Sequence, residues 1–116
     1  MKSLATSTQM LKGILEGCLL AIIKRGETYG YEMIEKLEEF GFNMVSEGSI
    51  YPVLMRMQKE NLVTTVMKAS PNGPNRKYYS ITELGEDELA DYQARWKELS
   101  QAVHALFDND LNKGVE

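Results

Sequence analysis

Residues 48–62 read GSIYPVLMRMQKENL, and their spacing decides how the rest of the chain is read. Ile50, Val53, Leu54 and Met57 fall at i, i+3, i+4 and i+7. That spacing stacks apolar side chains on one face of an α-helix, and it predicts that this face seats on a core. Ser49, Pro52, Arg56 and Lys59 recur on the other side, small and hydroxylic at the start and cationic further along. Pro52 limits where the helix begins. Its missing N–H needs no partner only within the first turn, so a start at Gly48 or Ser49 is expected. The cationic side suits a helix that enters a DNA groove, and it equally suits a solvated surface helix. The flanking segments decide between the two.

Upstream lie two further helical patterns. Thr6 and Gln9 fit a capping box, in which each satisfies a free N–H at a helix start. Leu11, Ile14, Leu15, Cys18, Leu19, Ile22 and Ile23 then hold helical spacing to Lys24-Arg25-Gly26, cations followed by a glycine stop. Cys18 lies on this apolar stripe and reads as a small core residue, since no activating base stands near it in sequence. A second helix is expected from Tyr29 or Gly30 to Phe40, with Met33, Ile34, Leu37 and Phe40 inward and Gly41 ending it. Tyr29 and Tyr31 read more simply as packing residues than as phosphate contacts. The turn from Gly41 to Glu47 is somewhat longer than a minimal helix-turn-helix connection but of the right kind.

Downstream the period changes from helical to alternating. Leu62–Ala69 and Arg76–Ile81 are rich in β-branched and aromatic residues and read as strands, joined by Ser70-Pro71-Asn72-Gly73-Pro74-Asn75. In this hairpin Lys68, Arg76 and Lys77 stand near the tip, placed to touch a phosphate backbone or minor groove. Thr82 is a good N-cap, and Glu83, Glu86, Asp87 and Glu88 complement the dipole of a long helix expected to end near Asn109. Along it Leu89, Tyr92, Trp96, Leu99, Val103 and Leu106 repeat at alternating intervals of three and four, the narrow seam of a helix that pairs with another helix. A homodimer through this seam, with the first helix, is expected. Packing within the same chain is the simpler alternative.

Composition bounds the function. At 116 residues, 43% hydrophobic and 26% charged, the chain suits one core. One cysteine and one histidine, Cys18 and His104, leave no disulfide and no zinc cluster, and no metal or cofactor is implied. A lone cysteine suits a reducing cytoplasm, and the longest apolar run, Cys18–Ile23, is far too short to span a bilayer, so no membrane segment is expected. No carboxylate pair, nucleophile–base set or phosphate loop stands out, which argues against an enzyme. The net charge of −4 hides a polarised chain. Residues 1–26 carry +3, 27–45 carry −4, 46–81 carry +3 and 82–116 carry −6. A basic central segment allows a DNA-facing surface on an acidic molecule.

Helix, helix, basic helix and basic hairpin is the order of a winged helix-turn-helix, mainly α with a small β-hairpin. The division is a DNA-binding part at 1–81 and a C-terminal dimerisation helix at 82–116, packed with the first helix. The residues also resemble the PadR-like family of transcriptional regulators. The resemblance rests on Tyr29-Gly30-Tyr31, on Glu47-Gly48-Ser49-Ile50-Tyr51-Pro52 with Leu54, and on Gly73-Pro74-Asn75-Arg76-Lys77-Tyr78-Tyr79 with Thr82 and Gly85. It covers the chain from about Met10 to Leu106.

What the resemblance implies is a sequence-specific regulator of transcription, a homodimeric repressor on a double-stranded DNA operator. By position, Ser49, Tyr51 and Arg56 would face DNA from the helix, Lys59 its phosphates, and Asn75, Arg76 and Lys77 would serve the wing. Arg56, with its planar fork, is the expected reader of guanine. The compact, single-helix tail with Trp96 is similar to the branch typified by a lactococcal multidrug-binding regulator, which implies a flat aromatic effector. Its lining would come from Met10, Gly17 and Ala21 with Leu89, Tyr92, Gln93, Trp96 and Ser100. Two positions depart from that pattern: Tyr92 is bulkier than the small residue expected, and Ser100 stands where an acidic group would favour cations. The alternative function is a winged-helix module that binds protein and not DNA.

Overall fold

The computed structural model describes the backbone of residues 2–43 and 45–115, with side chains described over 10–43 and 45–109. In chain order the elements are α1 (Lys2–Lys24), β1 (Thr28–Tyr29), α2 (Gly30–Glu39), α3 (Glu47–Lys59), β2 (Val63–Ser70), β3 (Gly73–Ile81) and α4 (Glu83–Val115). The three strands form one antiparallel sheet in the order β1-β3-β2. This is the mainly helical winged fold expected, with a strand added.

The core is built from the periodic faces. Leu11, Leu15, Leu19, Leu20, Ile22 and Ile23 of α1 meet Met33 and Leu37 of α2 and Ile50, Leu54 and Met57 of α3. Val63, Tyr79 and Leu89 close it from the sheet and α4. Fully burying one such aliphatic side chain is worth about 1.5–3 kcal/mol, so this shared cluster sets the angles between the helices. Among the described residues, no helix is long and apolar enough to cross a membrane.

Helix ends explain the turns. α2 and α3 both close with a Schellman motif, in which the amides two and three residues past the helix reach back into its last turn. Phe42 N donates to Leu37 O at 2.9 Å and Gly41 N to Glu38 O at 3.0 Å. Gly41 takes φ +103, a backbone region that favours glycine. After α3, Leu62 N donates to Met57 O and Asn61 N to Gln58 O, with Asn61 at φ 63, which asparagine tolerates. Thr82 caps α4: Gly85 N donates to Thr82 Oγ1 at 2.9 Å, and that hydroxyl donates to Asn61 O at 2.7 Å. One side chain therefore fixes the start of α4 to the end of α3.

Several expectations need correction. α1 begins at Lys2, so the backbone is already helical through Thr6 and no helix starts there. The side chains of Thr6 and Gln9 lie outside the described residues. Pro52 sits in the second turn of α3, because the helix begins at Glu47 with Ser46 as N-cap. The carbonyl that loses its donor belongs to exposed Gly48, where water can replace it. Phe40 is 60% exposed, since it caps α2 in a non-helical conformation and stacks under the Arg25 guanidinium at 4.9 Å. β3 begins at Gly73, so the true turn is Pro71-Asn72. An irregularity between Lys68 and Ser70 leaves Pro74 outside the paired ladder. α4 continues to Val115, past the expected end at Asn109.

Candidate nucleic-acid interface

The first turn of α3 fixes Tyr51. Ser49 N and Ile50 N both donate to Ser46 O, and the hydroxyls of Ser46 and Ser49 lie 3.2 Å apart, which leaves Ser49 half-buried. Tyr51 leans over the start of α2. A Cβ on Gly30 would lie 2.6 Å from the Tyr51 hydroxyl, so the close approach of the ring depends on glycine there. Burial, and then the nearby Glu47 carboxylate, push the Tyr51 phenol upward, so it stays a hydrogen-bond donor at neutral pH.

The strand register sorts the wing residues into two faces. Met67 pairs with Lys77 and Thr65 with Tyr79 on the side toward the core; Lys68 pairs with Arg76 and Val66 with Tyr78 on the other. Tyr29, Tyr31, Tyr51, Met67, Asn75, Arg76, Lys77 and Tyr79 line an open groove of about 580 Å³ between α3, the wing and the start of α2. On the outer face the cations rest on aromatic rings. Arg76 lies 4.5 Å from the Tyr29 ring and Lys68 5.0 Å from the Tyr78 ring, and the two rings meet edge to face at 5.3 Å. Lys68 also pairs with Glu27. These contacts hold two like charges side by side that would otherwise repel.

Arg56 is exposed on α3 and pairs with α1. Its Nη2 bonds Glu16 Oε1 on α1 at 3.1 Å and its Nε the same oxygen at 3.4 Å, at the edge of α3 nearest α1. Beside it Gly48, Pro52, Met55 and Lys59 form a further exposed stripe. Neither Met55 nor Met67 was singled out from the sequence, and Tyr31, expected to serve packing, is 60% exposed. The signal for Met55 was its 4-3-4 spacing with Gly48, Pro52 and Lys59, which apolar character masked.

At the other end of the molecule Tyr92 lies flat on α1. Its ring occupies the space where a Cβ on Gly17 would be, and its hydroxyl donates to Gly13 O. Gly17, Ala21, Leu89, Tyr92, Gln93 and Trp96 line one largely apolar cavity of about 240 Å³, with Ile14, Cys18 and Phe42 added. Met10 and Ser100 do not line it; Met10 is 69% exposed and the Ser100 hydroxyl donates to Lys97 O. Burial pushes the Cys18 thiol upward, away from thiolate reactivity. The seam divides at Tyr92. Leu89 is buried inside the protomer, against the expectation that it meets a partner, because the start of α4 lies on the core. Trp96, Leu99, Val103 and Leu106 are exposed, as is Phe107.

With this geometry in place, a family model for the transcriptional regulator PadR-like family matches residues 19–91. The chain belongs to the PadR-like family. This PadR-like chain is thus a transcription regulator of a DNA-binding, non-enzymatic family. It is similar to the crystal structure of a PadR-like regulator from Bacillus cereus strain ATCC 14579, with 54% identity, a TM-score of 0.76, and coverage of 85% of this chain and 96% of that one. A Streptococcus transcriptional regulator matches at 42% identity and a TM-score of 0.74, over 84% and 96% of the two chains. The negative transcriptional regulator PadR of Bacillus subtilis strain 168 is 27% identical over 81% of this chain and 53% of its own length. The chain thus spans about half of that relative. The crystal structure of Bacillus subtilis PadR in complex with operator DNA matches with a TM-score of 0.63 at 26% identity, over 69% of this chain and 46% of that one.

Proposed function

We propose that the protein is a homodimeric repressor that lays α3 in the major groove of an operator and sets its hairpin on the flanking backbone or minor groove. The observation that carries this reading is the single groove shared by Tyr51 of α3 and by Asn75, Arg76 and Lys77 of the wing. One continuous strand of phosphates can follow that groove, and the similarity to a relative crystallised on operator DNA supports it. Ser49 and Tyr51 approach DNA from the start of α3, and Lys59 meets phosphate. Arg56 takes part from the edge once Glu16 releases it. Residues 1–81 form the DNA-binding part and 82–116 the dimerisation helix.

The exposed stripe of α4 supports dimerisation. Its Trp96, Leu99, Val103 and Leu106 are exposed among the described residues, and a second copy would supply a matching stripe. Two α3 helices then sit roughly 34–36 Å apart, or a multiple, as successive turns of DNA require. The apolar cavity beside Trp96 is the site for a flat aromatic effector; Tyr92 forms its wall, and quenching of Trp96 fluorescence by planar compounds tests it. The DNA reading is tested by gel shift on the protein's own promoter over a salt series. Log K is expected to fall by roughly 0.9 per log unit of salt for each phosphate contacted. Absence of binding at low salt, with the α3 and wing faces covered by a protein partner, would favour the interaction-module alternative.

A further inference from the structure

The outward side of α3 has a central line whose one cation, Lys59, stands at its C-terminal end. Gly48, Pro52, Met55 and Lys59 form one exposed line along the helix, opposite the buried Ile50, Leu54 and Met57. Tyr51 and Arg56 stand at the two edges of that line. Tyr51 is turned toward the start of α2, and Arg56 is held toward α1 by Glu16. The side chain in the middle is Met55, 68% exposed. Neither it nor Pro52 offers a side-chain hydrogen-bond donor. A helix in the major groove aims this central line at base edges, and thymine alone presents an apolar group there, its C5-methyl.

We infer that Met55 is a specificity-determining residue that recognises a thymine methyl group in the major groove, with Pro52 beside it. The inference rests on the DNA reading proposed above and names the base class that reading leaves open. The unbranched thioether chain can adapt its rotamers to the methyl and gains by excluding water from both. Selectivity has a second source. A cytosine or adenine amino group set against Met55 would lose its water without gaining an acceptor of comparable strength. Lys59, one turn further along the same line, meets the backbone beyond the last base read.

The test uses the full-length protein and duplex DNA. A preferred site is selected from random duplexes, and each of its thymines is replaced in turn by deoxyuridine, which removes the methyl and keeps the pairing. At one thymine per half-site the unaltered protein is expected to lose about fourfold in affinity, the worth of one buried methyl group. Met55→Ala is expected to bind the thymine and uracil forms equally, and Met55→Leu to keep the discrimination; both are expected to unfold at the same temperature as the parent, because Met55 lies outside the core. Unchanged affinity at every uracil position, or a Met55→Ala variant that still discriminates, overturns the inference while leaving sequence-selective binding intact. A protein that binds no duplex overturns the DNA reading itself and this inference with it.

Discussion

α3 and the far half of α4 carry similar apolar stripes and end in opposite states. In α3, Ile50, Leu54 and Met57 are wholly buried, and Gly48, Pro52, Met55 and Lys59 face outward between exposed Tyr51 and Arg56. In α4 beyond Tyr92, the residues Trp96, Leu99, Leu106 and Phe107 are each more than half exposed. α3 is completed by its own chain, so its outer side is free to read a partner. The end of α4 leaves its apolar stripe exposed, and the proposed dimer would cover it with a second such stripe. In the proposed reading, one helix offers chemistry to DNA and the other offers its exposed apolar stripe to a second copy.

Equivalent truncations in the two helices break the comparison most directly. Leu54→Ala removes a wholly buried side chain and is expected to cost about 2–5 kcal/mol in denaturant unfolding, to the same extent at every protein concentration. Leu99→Ala would cost within about 0.5 kcal/mol if Leu99 were a surface residue. In a dimer it is expected to cost about 1.5–3 kcal/mol per protomer, with an unfolding midpoint that depends on concentration. A midpoint independent of concentration for both variants would erase the distinction between the two helices.

Between them lies the crossing of α1 and α4. Gly17→Ala places a methyl where the Tyr92 ring now rests and is expected to destabilise the fold by about 1–3 kcal/mol, read by thermal unfolding. Unchanged stability would show that Tyr92 is free to leave α1. The smallest effect belongs to Glu16→Gln. Its pair with Arg56 is partly exposed, and losing it is expected to cost at most about 1 kcal/mol. The same change frees Arg56, so DNA affinity at fixed salt is expected to rise rather than fall. A fall would place Glu16 among the groups that hold α3 in its binding position.

Much of this was legible in the sequence because the period of each segment agreed with its final packing. The apolar face of α3, the Thr82 cap and the alternation of the hairpin all survived folding, and each depends on neighbours within a few residues. What was illegible depends on distant partners. β1 is two residues long and has no period of its own; it exists because Thr28 and Tyr29 find Tyr79 and Tyr78. The pairing of Arg56 with Glu16 depends on how α1 crosses α3, forty residues away in the chain. Leu89 shares the spacing of Trp96 and Leu99, yet lies on the core because Thr82 ties the start of α4 to the end of α3. Met55 and Arg56 lie one step of about 100° apart around the helix and are both exposed, so periodicity alone does not rank them.

The central claim is that the exposed seam of α4 joins two copies so that two α3 helices meet one duplex. Sedimentation equilibrium of the full-length chain at micromolar concentration tests it most directly. The account predicts a particle of twice the chain mass that dissociates when Leu99 and Leu106 are both changed to Asp. A particle of single-chain mass in the unaltered protein would contradict it.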